Sequence, residues 1–308
     1  MGRIEKTYKA RDVEEIVDIY LYRPWGYALA VLAHRLHMTP NQVTVIGMIV
    51  GVMAGPLFYF SDLRLNLIGI GFWMLGQALD GADGQLARMA DMRSRLGRML
   101  DGISDNAKFT SLYFFLGLRL VAETGTGWAF LIAAVAGITH SYQSTLADFY
   151  RNAYLFFVYD PSKAELEISE KLKKEYDELS FRKNPIEKLL MRGYITYTTR
   201  QERWCSRSIS LQRKALERFG PDFPDRLREA YRRFNKPLLK YYNALTTNTR
   251  MIVLYASLLL GNLYIFFTFE IFVLNGILLL LLFRWQKRAD EQLAALLERT
   301  EPATAPVA

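Results

Sequence analysis

Residues 43–60 read VTVIGMIVGVMAGPLFYF and contain no charged side chain. A helix that crosses a bilayer needs about 20 predominantly apolar residues, so this stretch predicts a membrane-spanning helix. Similar stretches follow along the chain at 65–79, 99–121, 127–147 and 251–283. The last is too long for one span and long enough for a hairpin of two, with Glu270 as its one charge. The sequence therefore predicts an all-α, polytopic membrane protein with six spans.

The composition excludes several other classes of protein. Hydrophobic residues make up 51% of the 308 residues, far more than a disordered chain carries. Cys205 is the only cysteine, which excludes a disulfide scaffold and cysteine-based zinc or iron–sulfur sites. We interpret Cys205 itself as a structural residue.

The positive charge of the chain is concentrated in one region. The net charge is +8, and residues 161–250 hold 21 Lys and Arg against 12 Asp and Glu. Such a region is typical of nucleic-acid binding or of the cytoplasmic side of a membrane protein. The apolar stretches favour the second, and we see no nucleic-acid motif. With six spans, the basic clusters and both termini lie on the cytoplasmic side, as the positive-inside rule expects.

The predicted spans divide the chain into five segments. An amphipathic N-terminal segment at the membrane interface covers 1–42, and spans one to four cover 43–160. A helical cytoplasmic insert at 161–246 precedes spans five and six at 247–286, and the tail is 287–308. Within the insert we expect helices at 163–180, 185–218 and 222–246. Gly47, Gly51 and Gly55 recur every four residues in the first span, which predicts close helix packing.

Four aspartates border an arginine-rich loop in the stretch DGADGQLARMADMRSRLGRMLDGISD, residues 80–105. Asp80 and Asp83 lie three apart at the end of span two, and Asp101 and Asp105 lie four apart at the start of span three. These spacings place each pair on one helix face. Because both pairs adjoin the same loop, they lie at the same membrane depth and predict a cluster of four carboxylates.

Such a cluster favours bound cations. Two carboxylates about 5 Å apart repel by about 3 kcal/mol at an effective dielectric constant of about 20. Oxygen ligands without His or Cys favour Mg²⁺ or Mn²⁺. Gly84 and Ala87 leave room for a ligand, and Arg88 can pair with phosphate, so phosphoryl transfer is indicated. The alternative is a set of helix-end carboxylates that pair with the nearby arginines.

The pattern Asp80-x2-Asp83-Gly84-x2-Ala87-Arg88-x8-Gly97-x3-Asp101-x3-Asp105 resembles the signature of the CDP-alcohol phosphatidyltransferase family. The six-span layout and Pro40-Asn41-x2-Thr44 also resemble that family, whereas the insert departs from its compact members. The resemblance implies a CDP-alcohol donor, an acceptor alcohol, release of CMP and a role in phospholipid biosynthesis.

The resemblance also implies roles for individual residues. A two-metal centre of Mg²⁺ or Mn²⁺ would be held by Asp80, Asp83, Asp101 and Asp105, with Asp105 as the base that deprotonates the acceptor. Contacts with the donor and its surroundings would come from Asn41, Gly84, Ala87, Arg88, Ser94 and Gly97. We also expect contacts with membrane lipids and a homodimer.

Several alternatives remain open at the level of sequence. CDP-diacylglycerol would donate a phosphatidyl group to a soluble alcohol, with inositol phosphate preferred because of the basic insert. Alternatively, a CDP-choline-type donor would pass its headgroup to a lipid hydroxyl. A cation transporter and a membrane-tethered binding module are hypotheses of other classes. A polar stripe in span four predicts the wall of an acceptor cavity and consists of His140, Ser144, Asp148 and Arg151. His140 taken alone is typical of a buried packing histidine.

Overall fold

A computed structural model describes residues 11–159, 161, 164 and 167–299, and every regular element in this part of the chain is helical. The prediction of an all-α fold is confirmed. The α-helices are α1 (Arg23–Arg35), α2 (Pro40–Val52), α3 (Ala54–Tyr59), α4 (Leu63–Met89), α5 (Arg95–Thr124), α6 (Phe130–Val158), α7 (Ser169–Glu178), α8 (Pro185–Trp204), α9 (Ser206–Phe219), α10 (Asp225–Ala244), α11 (Thr247–Leu259), α12 (Leu263–Thr268), α13 (Asn275–Leu280) and α14 (Gln286–Arg299).

Local sequence signals set the ends of the helices that carry the aspartates. The side chain of Asp62 accepts hydrogen bonds from the backbone N–H groups of Arg64 and Leu65 and so caps α4. Ser94 caps α5 in the same way, and Gly125 ends that helix with a φ of 70°. These side chains satisfy backbone groups that have no partner within the helix. The arginine-rich loop therefore joins two well-defined helix ends.

The glycine face predicted in the first span packs against α4 and α5. A Cβ atom added at Gly76 of α4 would lie 2.9 Å from the Cα atom of Gly51. One added at Gly47 would lie 3.0 Å from the Cβ atom of Leu79. The helix backbones approach each other because these positions carry no side chain. This close contact fixes the position of α4 relative to α2.

Predicted spans five and six form a helix, a turn and a longer helix. Gly261, with a φ of 65°, lies in the turn. The second helix runs without interruption from Leu263 to Arg299 and contains two π-helical segments, Phe269–Leu274 and Leu281–Trp285. The predicted tail at 287–308 is thus helical through Arg299, and residues 300–308 lie outside the described residues.

Two helical segments in the described part of the chain are long and apolar enough to cross a membrane: Pro40–Tyr59 and Leu263–Arg299. The helices at the other predicted spans carry more polar residues, such as Gln77 and Asp80 in α4. Glu270, the charge predicted within a span, forms a fully buried ion pair with Arg250. The count of six spans stays a prediction.

The insert differs from the sequence prediction at one point. The single helix expected at 185–218 is wrong, because the chain bends at Cys205 and divides it into α8 and α9. The bend has a packing cause, since α8 contacts α5 and α6 whereas α9 contacts α14. The other expected helices are shorter than predicted and correspond to α7 and α10.

The insert is joined to the bundle by apolar contacts and ion pairs. The C-terminal part of α6 shares a buried cluster with α9, α10 and α14 that includes Phe157, Leu211 and Tyr231. Arg98 of α5 forms an ion pair with Glu167 at 2.8 Å. The arginine-rich end of α5 therefore binds the insert and positions it beside the aspartates.

Candidate active site

The four aspartates lie on two helices that both pack against α2, with Asp80 and Asp83 on α4 and Asp101 and Asp105 on α5. The carboxylate of Asp101 interacts electrostatically with those of the other three. The structure thus places the four predicted residues near one another, with Lys108 in contact with Asp80 and Asp105. Their roles in binding and catalysis stay predictions.

Lys108 lies between the two aspartate pairs and was not predicted as a site residue. Its Nζ atom is 2.7 Å from Oδ1 of Asp80 and 2.7 Å from Oδ1 of Asp105. Its side chain is buried, and its aliphatic part lies against Gly51, where a Cβ atom would come within 2.6 Å of it. The ammonium group offsets the repulsion between carboxylates that lie on different helices. The sequence signal was its position three residues after Asp105, on the same helix face.

Thr44 of α2 makes a second contact that the sequence did not reveal. Its hydroxyl oxygen is 2.5 Å from Oδ2 of Asp83 and 3.1 Å from the carbonyl oxygen of Pro40. Both Thr44 and Asp83 are buried. A hydrogen bond between them fixes the orientation of this carboxylate, because a buried acceptor needs a partner. The helix α2 therefore contributes to the cluster as well as to packing.

Arg88 folds back along α4 toward Gly84. A Cβ atom added at Gly84 would lie 3.4 Å from Nη2 of Arg88, so the absence of a side chain leaves room for the guanidinium group. Ala87, the next predicted contact, is partly exposed beside them. This arrangement places a planar cation, which suits phosphate oxygens, one helical turn from Asp83.

Three further predicted residues meet at the start of α5. The backbone N–H of Gly97 donates a hydrogen bond to Oγ of Ser94 at 3.0 Å. A Cβ atom at Gly97 would lie 3.3 Å from Oδ1 of Asn41, which belongs to the first turn of α2. The structure therefore brings Asn41, Ser94 and Gly97 to one location at the open end of the two helices.

The chemistry of the cluster fits hard divalent cations, because all four side chains offer carboxylate oxygens. Within the part of the chain that the structure describes, no group of three or more His, Cys, Asp or Glu residues is arranged to hold a metal ion. Lys108 is placed between Asp80 and Asp105. The carboxylate oxygens are thus ligands of the kind that Mg²⁺ and Mn²⁺ bind, but their arrangement around Lys108 is not that of a metal site. Bound metal stays a prediction.

The polar stripe of α6 does not form one continuous wall. The ring of His140 is buried, and its centroid lies 4.0 Å from that of Phe109. This confirms the interpretation of His140 alone as a buried packing histidine, and its predicted place in a water-accessible wall is wrong. Asp148 accepts a hydrogen bond from Tyr197 of α8 at 2.6 Å. Arg151 donates to the carbonyl oxygen of Val13 at 2.9 Å. The stripe therefore contacts two separate elements, the insert and the N-terminal segment.

Comparison with known proteins gives both a family and relatives. Residues 37–164 match the sequence model of the CDP-alcohol phosphatidyltransferase family. The chain is 32% identical over 119 residues to the bifunctional IPC transferase and DIPP synthase of Thermococcus kodakarensis. It is 35% identical over 83 residues to the archaetidylinositol phosphate synthase of Pyrococcus horikoshii. No solved structure matches significantly.

The matches cover part of each protein. They span 38% and 27% of this chain, and 27% and 43% of the Thermococcus and Pyrococcus proteins, respectively. The family match includes α2 to α6 and hence all four aspartates, Thr44 and Lys108. Residues 37–164 of the chain are therefore similar to the CDP-alcohol phosphatidyltransferase family.

Proposed function

We propose that this protein transfers a substituted phosphate group from CDP-diacylglycerol to inositol phosphate or a similar polar alcohol, with release of CMP. The observation that carries the proposal is the meeting of four aspartates from α4 and α5 beside Arg88, within the segment that matches the family. A carboxylate cluster next to a guanidinium group suits a substrate that has a diphosphate and a hydroxyl nucleophile.

In the proposed reaction, the acceptor oxygen attacks the phosphorus distal to cytidine. The carboxylate of Asp105 takes the proton of the acceptor hydroxyl, the bond from that phosphorus to the oxygen of CMP breaks, and CMP leaves. Arg88 binds phosphate oxygens, and Thr44 holds Asp83 in place through the contact at 2.5 Å. Divalent ions held by the four aspartates would neutralise the charge of the diphosphate.

An anionic acceptor is supported by the charge of the insert and by the relatives. Residues 161–250 carry 21 Lys and Arg against 12 Asp and Glu, and α8 of this segment contacts both α5 and α6. The name of the Pyrococcus relative places inositol phosphate in the product of that protein. Both observations favour inositol phosphate over a neutral alcohol.

The Arg250–Glu270 pair argues against the cation-transporter hypothesis. Both side chains are fully buried. Arg250 also donates to Oε1 of Gln143 at 3.0 Å, so the charged groups in this region have partners within the protein. A transport path through α11 and α12 would need polar groups open to water. These contacts favour a structural role for the pair.

The proposal is tested by measuring CMP release from purified protein in Mn²⁺. CDP-diacylglycerol, CDP-choline and CDP-ethanolamine are compared as donors, each with soluble alcohols and lipid hydroxyls. We expect release from CDP-diacylglycerol, stimulated by inositol phosphate and lost in excess EDTA. Release only from CDP-choline or CDP-ethanolamine would show that the lipid is the acceptor. Full activity in EDTA would contradict the role of divalent ions.

We further propose that the protein is an integral, multi-pass membrane enzyme with its active site and termini on the cytoplasmic side. The apolar helical segments Pro40–Tyr59 and Leu263–Arg299 support membrane insertion, and the positive-inside rule supports the orientation. A homodimer is part of the same proposal. It is tested by the mass of the protein in detergent.

A further inference from the structure

Large apolar side chains are exposed just before α8 and in its first turns. Phe181, Ile186 and Leu189 are 65%, 72% and 63% exposed. A single exposed apolar residue is ordinary, whereas three close together indicate contact with another apolar phase. We call these three residues the apolar edge of α8.

The apolar edge is surrounded by exposed cations. Arg182 and Lys183 follow Phe181 directly, and Arg192 lies one turn beyond Leu189 on α8. Apolar residues beside Lys and Arg are typical of helices that lie in the interface of a membrane with anionic lipids. The charge of the segment thus complements a surface of lipid phosphates.

The contacts of α8 place it at the depth of the aspartates. Ile195 packs in one cluster with Met99 and Ile103, near the start of α5. Further along α8, Arg200 donates to Oγ of Ser141 at 2.6 Å, and Tyr197 donates to Asp148. These contacts lie at the ends of predicted spans three and four that adjoin the aspartate cluster. The helix therefore lies across both spans where they would leave the membrane.

The helix α1 lies at a similar depth on another side of the bundle. A Cβ atom at Gly26 of α1 would lie 3.2 Å from the backbone of Ala78 and Ala82, next to Asp80. This helix exposes Trp25 and was predicted from sequence to lie at the interface.

At the end of α8, the exposed ring of Trp204 lies 5.9 Å from that of Tyr142, and such aromatic residues are enriched at membrane interfaces.

We propose that α8 is an interfacial helix whose apolar edge inserts into the surface of an anionic bilayer. Its neighbouring cations bind lipid phosphates, so the first half of the insert is a membrane contact and not a freely hydrated domain. The proposal requires that the protein is embedded in a membrane, but it does not depend on the identity of the donor or the acceptor.

The test uses an environment-sensitive fluorophore attached to Leu189→Cys in nanodiscs that contain phosphatidylglycerol. Cys205 is buried, and burial raises the pKa of its thiol, so the introduced cysteine is the reactive one. Leu216→Cys on α9 is the matched control, because Leu216 is also exposed but α9 packs on α14. Release of CMP, measured on the same samples, reports the proposed function separately.

We expect brominated lipids to quench the probe at position 189 and iodide in water to leave it unchanged, with the reverse result at position 216. Combined replacement of Arg182, Lys183 and Arg192 by Glu should remove the lipid quenching at position 189. The proposal would be overturned if iodide quenched the probe at position 189 as strongly as it quenches the probe at position 216. Protection of the 189 probe from both quenchers would also overturn it, since that result indicates a protein contact.

Discussion

At the scale of single residues, the site depends on how its charges are paired. Asp80 and Asp105 are on different helices, and Lys108 bridges them with two contacts of 2.7 Å. Asp83 is held by Thr44 of a third helix. These three carboxylates therefore have defined partners, which restrict their orientation before a substrate arrives. Two substitutions separate the catalytic role from the structural one.

Asp105→Asn should abolish CMP release and leave the protein folded. The amide oxygen can still accept a hydrogen bond from Lys108, but the side chain can no longer take a proton. Loss of a general base costs about 10²- to 10⁴-fold in rate. The measurement is CMP release at saturating donor, with the elution profile in detergent as the control for folding. Normal release from this variant would show that another group is the base.

Lys108→Met should destabilise the protein most when divalent ions are removed. The substitution leaves Asp80 and Asp105 without their shared cation, and unpaired polar groups of this kind cost about 1–3 kcal/mol. We expect a lower melting temperature in EDTA and partial recovery in Mn²⁺, which supplies a replacement charge.

The matched control for Lys108→Met is Lys174→Met. Lys174 pairs with Glu170 on α7, and both side chains are largely exposed, so its loss should change the melting temperature little. Equal melting temperatures for Lys108→Met and the unmodified protein in EDTA would contradict the bridging role.

At the scale of the helices, close approach of α2 to α4 and α5 positions the aspartates. Gly51 contacts Gly76 on α4 and leaves space for Lys108 on α5. One helix face thus serves packing and also accommodates a site residue. A change in the spacing of these helices would move the two aspartate pairs relative to each other.

Gly76→Ala should therefore lower both stability and activity. The new Cβ atom would lie 2.9 Å from Cα and 3.1 Å from N of Gly51, and these backbone atoms cannot move independently. Overpacking of this kind typically costs about 1–3 kcal/mol. Gly71→Ala in the same helix is the control, because no atom lies within 4 Å of its added Cβ. Similar melting temperatures for the two variants would show that α2 and α4 are not closely packed.

At the scale of the whole molecule, the insert and the C-terminal helix continue the bundle. The long helix α6 extends beyond the predicted span to Val158, where its end packs with α9, α10 and α14. Arg98 of α5 forms an ion pair with Glu167, near the start of the insert. The insert is consequently attached at two places and lies beside the active site.

The proposed topology places the arginine-rich loop and the α5–α6 turn on opposite sides of the membrane. Arg93→Cys in the loop and Thr126→Cys in the turn are both at exposed positions. In intact cells, a maleimide that cannot cross the membrane should label position 126 only. After the cells are opened, it should label both positions. Labelling of both in intact cells would contradict the six-span arrangement.

The amino-acid sequence by itself determined the helical fold, the placement of the two aspartate pairs on two helices, and the resemblance to a family. These features depend on local properties: apolar composition and fixed spacings along one helix face. The helix ends at Gly125 and Gly261 are also local, since both glycines have positive φ angles that other residues adopt rarely.

Only the tertiary structure decided which groups from different helices meet. Lys108 of α5 reaches Asp80 of α4 because both helices pack against α2. His140 is buried because aromatic rings of α5 cover it. The bend at Cys205 arises because α8 and α9 contact different helices. Spacing along one helix predicts which residues share a face, but the neighbour of that face depends on packing between helices, which a single sequence does not encode locally.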